Sequence, residues 1–88
     1  MSETESLLRF PCDFPIKVLG LRSEGFAQQI VSVVQAAVPD FRSETVEMRA
    51  SQGGKYLSVT VTVTARSQAQ LDALYQALTR HPGVKFVL

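Results

Sequence analysis

The sequence predicts an α+β domain: a four-stranded antiparallel sheet with two helices packed on one of its faces. Three observations carry this. Tyr56–Ala65 reads Y-L-S-V-T-V-T-V-T-A, with apolar and mostly hydroxylated side chains in alternation. Strand side chains alternate between faces, so this is a half-buried strand whose sheet has one face on a core and one face open. Residues 24–38 and 68–80 carry apolar side chains at helical spacing. Shorter alternating stretches at 14–20, 43–50 and 84–88 complete the order β-α-β-β-α-β.

The elements follow from local chemistry. Met1–Ser6 is acidic and polar, expected as a disordered tail. Residues 7–13 read as an extended segment, with Leu7, Leu8 and Phe10 apolar enough to dock. Pro11 and Pro15 forbid a helix across them, so the first strand is expected at Phe14–Gly20. Ile16, Val18 and Gly20 then face the core, and Lys17 and Leu19 the open side. Ser23 is the expected cap of the first helix, with Glu24 in its first turn. Phe26, Ile30, Val33, Val34 and Ala37 form its apolar stripe, Pro39 ends it, and Phe41 covers the core edge.

Ser43–Ala50 alternates with Val46, Met48 and Ala50 inward and Thr45, Glu47 and Arg49 outward. Gly53-Gly54 suits a tight hairpin turn. Ser67 and Gln70 form a capping-box pattern before a helix whose stripe is Leu71, Leu74, Tyr75 and Leu78. Arg80 and His81 sit in its last turn, where positive charge is favourable, and Pro82-Gly83 stops it. The last strand is expected to turn Val84, Phe86 and Leu88 to one face and Lys85 and Val87 to the open one. Two right-handed β-α-β units interleave as a ferredoxin-like βαββαβ sandwich, sheet order 4-1-3-2, in a single domain over 1–88.

Bulk properties exclude several function classes. Nine basic and eight acidic residues give a net charge of +1, which supplies no long-range field for nucleic acid or an anionic membrane. The single cysteine, Cys12, allows neither an internal disulfide nor a cysteine-based metal site, and no cofactor is expected. No apolar stretch approaches the ~18–20 residues that cross a bilayer, and the start lacks the pattern of a signal peptide. The expected location is the cytoplasm.

Phe10-Pro11-Cys12-Asp13-Phe14-Pro15-Ile16-Lys17-Val18-Leu19-Gly20 resembles the opening signature of the YbeD-like family of small bacterial proteins, and Gly54–Val59 resembles its central hairpin and strand. The ending Val87-Leu88 matches as well, so the resemblance covers residues 7–88. It implies an ACT-like fold and no catalytic residues. It also implies a regulatory link to lipoate metabolism, since family members tend to be encoded beside the enzyme that transfers octanoyl groups. Gly53 stands where members often carry a basic residue, which weakens any anion site at the hairpin.

No catalytic constellation is expected. A nucleophile needs a base within hydrogen-bond reach, and Cys12 and His81 belong at opposite ends of the sheet. Gly53-Gly54-Lys55 opens a strand rather than a helix, so it is a turn and not a phosphate loop. The candidate interaction face comprises Lys17, Leu19, Arg49, Tyr56, Thr60, Thr62, Lys85 and Val87. The junction flanked by Gly20 and Gly25 is a candidate effector loop, because in the ACT-like domains this chain resembles that junction contacts small effectors.

With Tyr56 as its one aromatic, the face falls several kcal/mol short of stacking RNA, where each base contributes roughly 1–3 kcal/mol. Nucleic acid is therefore the alternative partner, and a protein or a second copy of the chain the expected one. The face spans roughly 350 Å² in plan, below the about 800 Å² per partner of a specific interface. An edge strand or the N-terminal segment has to contribute.

Overall fold

Residues 9–88 are described by a computed structural model. The tail expected at Met1–Ser6 and the docking of Leu7 and Leu8 lie outside the described residues. In chain order the elements are β1 (Cys12–Leu21), α1 (Phe26–Ala37), a 3-10 turn (Ser43–Thr45), β2 (Glu47–Ala50), β3 (Tyr56–Ala65), α2 (Gln68–Thr79) and β4 (Val84–Val87). The sheet order is β2-β3-β1-β4 with every neighbouring pair antiparallel, the ferredoxin-like arrangement the alternation predicts.

β1 and β3 form the centre, paired without interruption from Cys12 opposite Ala65 to Leu21 opposite Tyr56. Their inward residues, Ile16, Val18, Val59, Val61, Val63 and Ala65, are buried against Phe26, Ile30 and Val34 of α1 and Leu71, Leu74 and Leu78 of α2. Each fully buried aliphatic or phenyl side chain contributes about 1.5–3 kcal/mol, so this one cluster supplies most of the driving force. Phe41 is buried with it, as expected. Its carbonyl and that of Pro39 accept from the Gln35 amide at 3.0 and 2.9 Å, which closes the end of α1.

β1 starts two residues earlier than Phe14, although it contains Pro15. Lys17 and Leu88 exchange N–H···O bonds of 3.1 and 2.8 Å, so the odd-numbered residues of β1 direct their backbone polar groups toward β4. Pro15 is odd-numbered and lies past the last residue of β4. Its missing N–H falls where the ladder needs none.

Four expectations are corrected. Ser23 does not cap α1: the N-cap is Gly25 at φ 83°, no side chain bonds the helix end, and Glu24 precedes the helix. Ser23 instead accepts the Phe26 N–H through its carbonyl at 3.2 Å, so the chain reverses once more before the helix begins. A left-handed residue at that point requires glycine. Ser43–Thr45 is a 3-10 turn, held by the Thr45 hydroxyl on the Arg42 carbonyl at 2.7 Å.

Met48 and Ala50 are exposed, Met48 by 60%. Met48 is opposite Val59 on the helix side of the sheet, but β2 is the edge strand and lies outside the cover of α1. The fourth correction is in β4. Val87 is opposite Val18, Phe86 opposite Leu19, and Val84 opposite Gly20, with a register shift between Leu19 and Gly20. Lys85 is the extra residue of a β-bulge. Val84 and Val87 therefore both pack on the core side, and Phe86 turns to the open face.

The second helix is capped as predicted, with one difference. The Ser67 hydroxyl accepts from the Gln70 N–H at 3.1 Å, while the Gln70 side chain reaches back to the Arg66 N–H at 2.7 Å rather than to that of Ser67.

Candidate functional site

The helix-free face of the sheet is organised in rows that run across the strands. One row is Glu47, Thr60, Lys17 and Leu88, from β2 through β3 and β1 to the residue after β4. The next is Arg49, Ser58, Leu19 and Phe86. A third places Tyr56 opposite Leu21. The face thus grades from ions and hydroxyls at the β2 edge to apolar side chains at the β4 edge.

At the apolar end, Leu21, Phe86 and Leu88 are 41%, 50% and 66% exposed, beside a half-buried Leu19. At the polar end, Lys17, Glu47, Arg49, Ser58 and Thr60 line a shallow depression of about 390 Å³. Lys17, Glu47 and Arg49 are in none of the ion pairs found among the described residues, which join Arg42 to Glu44 and Arg66 to Asp40. The Lys55 ammonium lies 5.6 Å from the centre of the Tyr56 ring, at the rim of the face. Exposed apolar groups gain when a partner excludes water from them, and charges beside them add orientation where the partner supplies the opposite charge.

Of the residues singled out from sequence, Lys17, Leu19, Arg49, Tyr56 and Thr60 come together here. Thr62 is exposed one row further along, opposite Pro15. Lys85 is exposed at the bulge. Val87 is on the other side of the sheet, for the reason of register already given. Phe86, Leu21 and Leu88 were missed. A bulge leaves no trace in a five-residue stretch, and a strict period of two assigns Phe86 and Leu88 to the core.

The strand-to-helix junction is built differently from an open loop. Gly20 is buried, and a Cβ there would run into the Gly83 carbonyl and the Phe26 ring. Only Gly25 of the pair is exposed. His81 completes this corner: its ring meets Phe26 edge-on with centroids 5.9 Å apart, and its Nδ1 accepts the Gly83 N–H at 3.0 Å. That bond leaves the proton on Nε2, which donates to Gln29 Oε1 at 2.7 Å. His81 thereby ties the end of α2 to α1. Cys12, opposite Ala65, is at the other end of β1, roughly 26 Å of strand away. Among the described residues no group of three potential metal ligands occurs.

A family model described as "Protein of unknown function (DUF493)" matches residues 5–88. The chain belongs to the DUF493 family. This agrees with the small bacterial proteins of unknown function that the Phe10–Gly20 signature resembles. Among DUF493 relatives, the chain is 51% identical to the UPF0250 protein NE1487 of Nitrosomonas europaea, covering 96% of this chain and 97% of that one. It is 56% identical to the UPF0250 protein RSc0326 of Ralstonia nicotianae, over 96% and 87% of the two chains.

Solved structures agree on the fold. Protein HP0495 from H. pylori superimposes with a TM-score of 0.77 at 14% identity, over 100% of this chain and 93% of that one. The ACT domain from the GTP pyrophosphokinase of Chlorobium tepidum gives 0.67 at 22% identity, over 86% and 84%. The DUF493 chain therefore shares its architecture with ACT domains. No helix among its described residues is long and apolar enough to cross a membrane.

Proposed function

We propose that this chain is a small non-enzymatic regulatory or adaptor protein of the cytoplasm that docks a protein partner on its helix-free sheet face. The observation that carries this reading is the cluster of exposed Leu21, Phe86 and Leu88 around half-buried Leu19, on a face whose other end holds charges in no ion pair among the described residues. A solvated sheet face has no use for a half-exposed phenylalanine beside three leucines. A structural neighbour that is a named domain of an enzyme, the ACT domain of a GTP pyrophosphokinase, supports a role beside an enzyme. The resemblance to the YbeD-like family makes the octanoyl-transferring enzyme of lipoate synthesis the first partner to test.

The experiment is binding of purified candidate partners to the immobilised chain and to its Leu19→Asp and Phe86→Asp variants. The reading requires a partner that the wild type retains and both variants lose. Retention by all three, or by none, sinks it.

A second reading, single-stranded nucleic acid, gains from the same correction of register. Phe86 joins Tyr56 as an aromatic on the open face, near Lys17, Lys55 and Lys85. Stacking contributes roughly 1–3 kcal/mol per base, so two platforms narrow the shortfall without closing it. A gel shift with mixed single strands at about 50 mM salt separates the two readings, because phosphate contacts are strongest there.

A further inference from the structure

We propose that two copies of this chain join through the outer edges of their β2 strands, antiparallel about a two-fold axis at Met48, so that Glu47 of each copy meets Arg49 of the other.

The backbone sets the register. The Ser51 N–H donates to the Tyr56 carbonyl at 2.8 Å, so Ser51 bonds inward to β3. Direction alternates along a strand, so Arg49 and Glu47 also bond inward, and Met48 and Ala50 present their N–H and C=O groups outward. β2 ends the sheet, and those groups have no strand beside them among the described residues. A two-fold axis at Met48 lets the two Met48 residues exchange N–H···O bonds. It also sets each Ala50 N–H against the Val46 carbonyl of the other copy. The Val46 N–H is already held by the Ser43 carbonyl at 3.1 Å, so this pairing strands no donor there.

The side chains point to a second copy rather than to an unrelated strand. Glu47 and Arg49 flank Met48 with opposite charge on the same face, and neither is in an ion pair among the described residues. Antiparallel pairing about Met48 turns that arrangement on itself and forms two Glu–Arg cross-strand pairs. On the helix side, Met48 is 60% exposed above a groove lined by Ala27, Val31 and Val46. The second Met48 arrives over the same groove, and each thioether covers the other. The pairing stands independently of the open-face reading. It would join the two open faces into one of roughly 700 Å², near the about 800 Å² of a specific interface.

Sedimentation equilibrium of the whole chain is the test, with Glu47→Lys, Arg49→Glu and the double exchange Glu47→Lys/Arg49→Glu. All three changes lie on an exposed edge, and circular dichroism checks that each variant folds. The wild type is expected to dimerise. Each single exchange opposes like charges twice and should weaken the dimer by about tenfold or more. The double exchange restores opposite charges and should recover most of the loss. A wild type that stays monomeric at millimolar concentration overturns the proposal. So do single exchanges without effect, or a double exchange no tighter than the singles. Leu19→Asp and Phe86→Asp, which report on the open face, should leave the dimer intact.

Discussion

Phe86 stands directly opposite Leu19 on the sheet face away from the helices, and its neighbour Val87 stands opposite Val18 on the face beneath them. The bulge at Lys85 produces this exchange of sides. Aspartate at the two positions should therefore act differently. Val87→Asp places a charge against the core and should cost upward of ~2 kcal/mol. Phe86→Asp, on the open face, should cost no more than ~1 kcal/mol. Urea unfolding of both variants measures the difference, and equal losses would mean that β4 runs without a bulge.

The same two-sidedness holds at the centre of the sheet. Val61 is fully buried under the helices, and Thr62 beside it is exposed. Val61→Asp should leave the chain unfolded, because an uncompensated buried charge costs a large part of a total stability of order 5–15 kcal/mol. Thr62→Asp should fold with a loss under about 1 kcal/mol. Circular dichroism of the two proteins decides. A comparable loss for both would mean that something covers the face described as open.

Gly20 sits at a tightly packed corner of the fold. Its missing side chain leaves room for the Phe26 ring and the Gly83 carbonyl, and neither is the free end of a flexible chain. Gly20→Ala should lower stability by about 1–3 kcal/mol through overpacking, or about 5–20 °C in melting temperature for a domain of this size. A melting temperature within two or three degrees of wild type, on the order of half a kcal/mol, would show that the corner yields.

Alkaline pH should separate Tyr75 from the rest of the surface. Burial against the core raises its phenol above the ordinary value of 10.0, because the phenolate is the form that loses hydration. A raised folded-state value means that the unfolded chain ionises first. The contribution is complete below pH 10 and declines as pH rises from there through the folded value. Chemical unfolding at a series of pH values above 9 should show a fall in stability that Tyr75→Phe reduces. An identical fall in the variant would assign it elsewhere. Glu44 acts at the other end of the scale. Backbone and Arg42 hydrogen bonds hold its carboxyl below the ordinary range, so its small contribution is present above the unfolded value and lost as acid protonates it.

The long elements were legible because each repeats one signal many times. β3 alternates over ten residues, and the stripes of α1 and α2 each recur over three turns. The order and pairing of the strands then follow from handedness and crossover length. Short elements were not legible to the same depth. Val84–Leu88 offers three apolar residues on one parity and one on the other, which argues for a regular strand, and the bulge overrides it. Met48 has the right parity for the core but belongs to an edge, and edges are set by how far a helix reaches. Ser23 has the right chemistry for a cap, yet close packing of Phe26 on Gly20 fixes where the helix starts. The placement of Lys17, Arg49 and Thr60 on one sheet face was legible because β1, β2 and β3 pair regularly. Phe86 and Leu88 were assigned to the other face because of the β4 bulge, and Leu21 lay one residue beyond the expected end of the first strand.

Pro15 has a consequence for how this fold can associate. β4 ends before it spans β1, so among the described residues the first half of β1 has no strand on that side, and a strand from another molecule would extend the sheet there. A proline in that stretch denies the incoming strand a donor, and the kinked ladder at Lys85 blunts the remainder of the same side. Of the sheet's two sides, as the described residues form them, the β2 side carries neither obstacle. A building block that can extend in one direction alone forms a closed pair, whereas fibres need both ends. Pro15, placed inside β1, thus disfavours strand addition on that side of the sheet.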